Sequence, residues 1–268
     1  MTESPEGVWL VPSRPRAAML VLSGSSGRVA TERVRMLAAH GIAVLAPRWF
    51  GPSGITEVPL ESFLPMLDQL AEISPTLGVL GLSKGAEAAL LLAASEPRID
   101  VVVGLSPTHV AWSAVGDNRR RPQRSSWTVV GEPVPFIPYD DNWSPETDAE
   151  PIAYRGMYAQ SLRTHAELVP DAAIPVERIK GQVLLAAGED DQLWPSATFA
   201  EHIVRRRIEH GQHTTLVTHP RAGHRPILPG EGVITGGQPL ARGGTPAADA
   251  ELGALLWTEL CEALALDS

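Results

Sequence analysis

Gly81-Leu82-Ser83-Lys84-Gly85-Ala86-Glu87 sets a serine between two glycines at the junction of two apolar runs. Before it, Leu77 to Leu82 is short and apolar, suited to a buried parallel strand; after it, Ala86 to Ala94 is a near-continuous Ala/Leu run suited to a buried helix. So sharp a strand-to-helix turn strains the serine backbone, and a side chain at either flanking position would collide with neighbouring backbone, hence two glycines. The serine oxygen is left exposed at a helix N-terminus, where the dipole favours developing negative charge. Gly, Ser and Gly at alternate positions arise often by chance. The strand before and the helix after are what make this stretch a nucleophile elbow, with Ser83 the candidate nucleophile.

Working outward from the elbow, strand and helix patterns alternate. Val8 to Val11 reads as a first edge strand and Ala17 to Leu22 as a central one, followed by the small-residue loop Ser23-Gly24-Ser25-Ser26-Gly27 and a helix from about Val29 to Ala39 that stops at Gly41. Ile42 to Ala46 is the next strand; Leu60, Phe63, Leu64, Leu67, Leu70 and Ala71 recur at helical spacing, predicting one amphipathic helix over Leu60 to Ile73 with Pro65 near its first turn. Asp100 to Leu105 is another buried strand. This alternation predicts an α/β fold with a mostly parallel, doubly wound sheet, whose ligands belong at the carboxyl ends of the strands, where Ser25 and Ser83 fall. The Ser23 to Gly27 loop lacks the Gly-Lys-Ser/Thr ending of a phosphate loop. In a serine hydrolase it would supply one oxyanion-hole donor, the N–H of Ser25, with the N–H of Lys84 as the second.

From about 106 to 179 the period breaks. Prolines, Arg119-Arg120-Arg121, Trp112, Trp127, Tyr139 and Trp143 occur without a sustained repeat, which predicts a lid-like insertion between the strands at 100–105 and 182–187, the natural place for a lid or an acyl-binding wall. A short helix is expected over Ala153 to Ala166. Trp49, Trp143 and Trp194 are the candidate substrate-binding side chains, and His109 and His165 are further candidates to line the site. The three consecutive arginines suit either a phosphate grip or a solvated loop. Gln182 to Ala187 restores the strand pattern and ends in Gly188-Glu189-Asp190-Asp191-Gln192-Leu193-Trp194-Pro195-Ser196; a helix over Ser196 to Glu209, a last strand over Thr214 to Thr218 and a long Gly/Pro-rich loop beginning at Ala222-Gly223-His224 follow. Thr245-Pro246 then opens the final helix as cap and first-turn proline.

A serine nucleophile needs a base to take its proton and an acid to fix the base's tautomer. On this kind of sheet the chain order is serine, acid, histidine. Ser83, an aspartate after the strand at 182–187 and His224 after the last strand supply that order. Asp190 and Asp191 compete for the acid; the usual spacing from the loop glycine in such hydrolases favours Asp191 by analogy. No Cys/His cluster, His-Glu-x-x-His or strand-following Gly-x-Gly-x-x-Gly predicts a metal or a dinucleotide, so no cofactor is expected.

Across 268 residues the formal charge is -9, which disfavours a nucleic-acid partner, and 44% hydrophobic with 20% charged residues describes a globular protein. Cys261 is the only cysteine, so no internal disulfide forms. The first sixteen residues carry acids and prolines, and 18 apolar residues never run together. The expectation is a cytoplasmic protein with no membrane partner. Nothing speaks to oligomeric state.

Val58-Pro59-Leu60-Glu61-Ser62-Phe63, the elbow, Ile174-Pro175-Val176-Glu177-Arg178-Ile179, the Gly188 to Ser196 run, Ala222-Gly223-His224 and Gly243-Gly244-Thr245 together resemble the C-terminal catalytic domain shared by acyl-CoA thioesterases and bile acid-CoA:amino acid N-acyltransferases. Asp-Asp-Gln-Leu-Trp-Pro-Ser is the most specific of these, since generic hydrolases lack it. The resemblance implies an α/β-hydrolase fold, a triad matching Ser83, Asp191 and His224, and a small-molecule acyl thioester, an acyl-CoA, as substrate. Longer members of the family carry a β-sandwich domain before the hydrolase domain. The present chain is expected to be one hydrolase domain over 1–268, with no such domain before it. Thioester hydrolysis is the leading expectation; acyl transfer to an amine or alcohol, a carboxylesterase or dienelactone-hydrolase-like activity, and a non-catalytic binding protein are the rivals.

Overall fold

The computed structural model describes the chain apart from residues 1, 5, 6, 53, 116–123, 148, 149, 234–237, 267 and 268, and the backbone alone of 2–4. Eight strands form the main sheet: β1 (Thr2–Ser4), β2 (Gly7–Leu10), β3 (Ala17–Leu22), β4 (Ile42–Pro47), β6 (Leu77–Leu82), β7 (Val101–Leu105), β10 (Gln182–Gly188) and β11 (Thr215–His219). A three-stranded sheet is built from β5 (Val58–Pro59), β8 (Trp127–Val129) and β9 (Glu132–Pro133). The helices are α1 (Thr31–Ala39), α2 (Leu64–Ala71), α3 (Lys84–Ser95), α4 (Arg155–Thr164), α5 (Val169–Ala172), α6 (Ser196–Glu209) and α7 (Pro246–Ala263).

The main sheet runs in the order β1-β2-β4-β3-β6-β7-β10-β11. All neighbours from β4 to β11 are parallel, while β1 and β2 join antiparallel. Val8 therefore belongs to the second strand in from the edge, because the backbone of β1 pairs outside it. The chain leaves β3 toward β4 on one side, whereas from β6 it proceeds to β7, β10 and β11 on the other. The crevice at the carboxyl ends of β3 and β6 is thus the switch point where such sheets bind ligands.

Both faces of the sheet are covered, which explains the continuous apolar runs of its strands. In β3, Ala18, Leu20 and Leu22 pack on one face with Leu67, Leu70, Leu90 and Ile203 of α2, α3 and α6, whereas Ala17, Met19 and Val21 pack on the other with Val34, Leu37, Leu252 and Leu256 of α1 and α7. Cys261 is buried in this second layer. The stretch expected as one helix over Leu60 to Ile73 divides: Leu60–Phe63 is a tighter 3₁₀ turn and the α-helix proper begins at Leu64. Pro65 explains the boundary, since a residue without an N–H fits the first turn of a helix and not its interior. The final helix opens as expected, with the Thr245 hydroxyl accepting from the Ala248 N–H at 3.2 Å.

Residues 106–179 do lie between β7 and β10, but their described part is a packed layer. Val110, Trp112, Ile137, Tyr139, Met157 and Tyr158 form a core with Trp194 and Phe199, and Val58 of β5 pairs with Trp127. Arg119, Arg120 and Arg121 lie outside the described residues. Among the described residues no helix is long and apolar enough to cross a membrane, and no cluster of three or more His, Cys, Asp or Glu side chains could hold a metal ion.

Candidate active site

The elbow takes its shape from packing on every side. Ser83 has φ 56° and ψ -119°, a conformation that costs a non-glycine residue of order 1–3 kcal/mol. Backbone contacts hold it there: its N–H donates to the Leu105 carbonyl at 2.9 Å, and its carbonyl accepts from Ala86 N and Glu87 N at 2.8 and 3.0 Å. A Cβ on Gly81 would lie 2.0 Å from the Gly85 carbonyl oxygen, and one on Gly85 would lie 2.2 Å from that of Leu22. Gly85 therefore lets α3 pass against the end of β3. The same closeness brings the Ser23 to Gly27 loop to Ser83, since a Cβ on Gly24 would be 3.3 Å from the Ser83 Cβ. Ser25 and Ser83 both line the pocket at this point.

His224 is buried, and its Nδ1 meets Asp191 Oδ2 at 2.8 Å. The other Asp191 oxygen accepts the N–H groups of Leu193 and Trp194 at 2.9 and 3.2 Å. A carboxylate can only accept from Nδ1–H, so the pairing puts the histidine proton on Nδ1 and leaves Nε2 with a lone pair. Nε2 is buried with no hydrogen-bond partner among the described residues, and His224 and Ser83 line the same pocket. Asp190 is used elsewhere: its oxygens accept from Gln192 Nε2 and Gly244 N, each at 2.8 Å.

Three residues that the sequence does not single out hold the loop at His224, two through side chains and Arg242 through its backbone. Ser106, at φ 45° past the end of β7, donates its hydroxyl to the His224 carbonyl at 3.1 Å. The Arg242 carbonyl accepts from His224 N at 2.9 Å and Gln192 N at 3.3 Å, tying the Asp191 and His224 loops together. Asp249 accepts from Gly223 N at 2.7 Å; burial raises its pKa and the Gly223 N–H opposes that shift. Each lies far from His224 in sequence.

The pocket, about 350 Å³, lies between the loop at 23–30 and the described residues of the segments 224–233 and 238–242. Its walls include Val29, Leu193, Val233, Leu240 and the side chains of Arg28, Arg225 and Arg242. No described residue of 106–179 lines it, so among the described residues the insertion does not border this pocket. Trp49, Trp143 and Trp194 do not line it either. Their ring surfaces are occupied by packing: Trp49 stacks on Trp127, Trp143 lies against Tyr154, and Trp194 sits edge-on to His224 with its Nε1 donating to the Ser106 carbonyl. Trp194 thus braces the histidine from behind. His109 stacks on His202, and neither His109 nor His165 reaches the pocket.

Behind the elbow, Lys84 and Glu87 form a buried ion pair at 2.7 Å, with Glu87 also accepting from Trp112 N and Trp127 Nε1 at 2.9 and 2.7 Å. Burial lowers the Lys84 pKa and Glu87 opposes that shift. An acid inside an Ala/Leu run was the sequence signal for this pair. Removing one partner strands a buried charge, so Glu87→Ala is expected to lower unfolding free energy by about 3–5 kcal/mol in urea titration. The double variant Lys84→Met/Glu87→Leu should recover part of the loss; a single-variant loss under about 1 kcal/mol would contradict the burial seen here.

The sheet order, the helices on both faces and the elbow define an α/β-hydrolase fold. A dienelactone hydrolase-like promiscuous phosphotriesterase from metagenomic libraries shares it, with a TM-score of 0.51 and 18% identity over 96% of this chain and 89% of that one. Residues 61–265 match the family described as BAAT / Acyl-CoA thioester hydrolase C terminal, and the chain belongs to that family. Similar proteins are acyl-coenzyme A amino acid N-acyltransferase 2 of Rattus norvegicus, 28% identical over 94% of this chain and 61% of that protein, and acyl-coenzyme A thioesterase 6 of Mus musculus, 28% identical over 82% and 54%. The chain thus spans little more than half the length of these relatives.

Proposed function

We propose that the protein is a serine hydrolase that cleaves acyl thioesters, an acyl-CoA being the substrate class, to free acid and thiol. The observation that carries this reading is His224, buried with Nδ1 on Asp191 and an Nε2 that has no partner among the described residues, in the same pocket as a serine held at positive φ. In the proposed reaction His224 Nε2 takes the Ser83 proton as Oγ attacks the thioester carbonyl. The N–H groups of Ser25 and Lys84 receive the developing oxyanion; the latter is among the first N–H groups of α3, which have no intrahelical acceptor. Collapse expels the thiolate, which takes the proton from His224. His224 then activates water to release the acid from the acyl-serine.

Two relatives bear names of different outcome, N-acyltransferase and thioesterase. The atom at position 83 favours hydrolysis here. A serine acyl-enzyme is an oxygen ester, less open to amines than the thioester a cysteine would form, whereas water activated by His224 attacks it readily. A serine-directed phosphonate is expected to label Ser83, with free acid the dominant product when an acyl-CoA is supplied together with millimolar glycine or taurine. Mass spectrometry checks both. Predominant N-acyl amino acid would replace hydrolysis by transfer, and labelling elsewhere would remove the nucleophile assignment.

A further inference from the structure

The pocket concentrates positive charge in a chain whose formal charge is -9. Arg28 comes from the loop after β3, Arg225 follows His224 directly, and Arg242 lies in the segment whose backbone ties the acid and base loops together. Of the pocket's other charged side chains, Arg33 and Glu231 form a fork-to-fork pair at 2.5 and 2.9 Å, and Glu32 accepts from Gly232 N at 3.0 Å. Arg28, Arg225 and Arg242 therefore line one pocket, close enough for the charges of Arg28 and Arg242 to act on Arg225. Burial lowers the Arg225 pKa to about 10, with Arg242 and Arg28 acting in the same direction and Asp249 against it. Like charges held together at a site are stabilised by an anion, and guanidinium groups match the oxygen pairs of phosphates and carboxylates.

We propose that Arg28, Arg225 and Arg242 form an anion-reading subsite of the Ser83 pocket, which takes a phosphate or carboxylate group of the substrate while its scissile carbonyl sits at Ser83. The inference rests on the thioester-hydrolase reading for the second half of that statement. Aliphatic walls at Val29, Leu193, Val233 and Leu240 leave room for an uncharged segment between the reacting carbonyl and the anionic group. Two sources carry that chemistry: the phosphates of the coenzyme A leaving group, or a carboxylate at the far end of the acyl chain.

Four substrates separate the sources: pentanoyl and glutaryl thioesters, each on coenzyme A and on N-acetylcysteamine, which has no phosphate. The variants are Arg28→Gln and Arg225→Gln. Each variant is expected to lower kcat/KM by roughly tenfold on the substrates that carry the recognised anion. A loss confined to the coenzyme A pair assigns phosphate, and one confined to the glutaryl pair assigns carboxylate. Equal rates on all four, or an equal fall that includes pentanoyl-N-acetylcysteamine, would overturn the subsite while leaving the hydrolase reading in place. Calorimetric binding of desulfo-coenzyme A and of glutarate gives a readout without turnover. If no thioester is cleaved but either probe binds and the variants weaken it by about tenfold, the subsite stands and the hydrolase reading falls. If neither probe binds the wild-type protein, or the variants bind both as tightly, the subsite falls.

Discussion

Ser83→Ala is expected to lower thioester turnover by about a millionfold and leave the fold unchanged. The size follows from the proposed chemistry, since without Oγ there is no acyl-enzyme and the Asp191–His224 pair has no proton to take. The unchanged fold follows from the geometry. The strained turn is held through the Ser83 N–H and carbonyl, both of which alanine keeps, and alanine meets the same positive-φ cost as serine. Thiol release under saturating acyl-CoA, beside a far-UV spectrum and a melting curve, checks both halves. Retention of more than a few per cent of activity by a folded variant would show that Ser83 is not the nucleophile.

Asp191→Asn should cost about four orders of magnitude in turnover, and Asp190→Asn less than tenfold. The asymmetry is set by hydrogen bonds. Leu193 N and Trp194 N both donate to Asp191 Oδ1, so an asparagine there keeps its amide oxygen on those donors and turns its NH₂ toward His224 Nδ1. Nδ1 must then accept, the proton moves to Nε2, and the atom facing the pocket no longer has a lone pair. Asparagine at 190 weakens a clamp between the acid loop and Gly244, with no contact to the imidazole. Steady-state kinetics on the two single variants decides it, and a larger loss from Asp190→Asn would reverse the assignment.

How much of this was legible in the sequence depends on the range of the forces involved. The central strands were readable almost to the residue because a strand buried on both faces is an uninterrupted apolar run, and β3 and β6 match their runs end to end. Loops that must turn sharply announce themselves through glycine, as at Gly81 and Gly85, whose absent side chains leave room for backbone 2.0 and 2.2 Å away. The three tryptophans carried no such signal. A large aromatic ring is as well suited to a core as to a ligand, and no local pattern says which neighbours will cover it.

The sequence by itself determined the class of sheet and the position of the elbow, because each rests on residues adjacent along the chain: strand, tight turn, helix cap. Only the tertiary structure decided which aspartate faces His224, since Asp190 and Asp191 are neighbours in sequence and are separated by what their oxygens meet, Gly244 N in one case and His224 Nδ1 in the other. It also decided where the pocket lies. Arg28, Arg225 and Arg242 come from loops about 200 residues apart that meet because the parallel strands β3 and β11 point their carboxyl ends to the same side of one sheet. Long-range approach of that kind follows from how the whole core packs, and no local stretch of the chain encodes it.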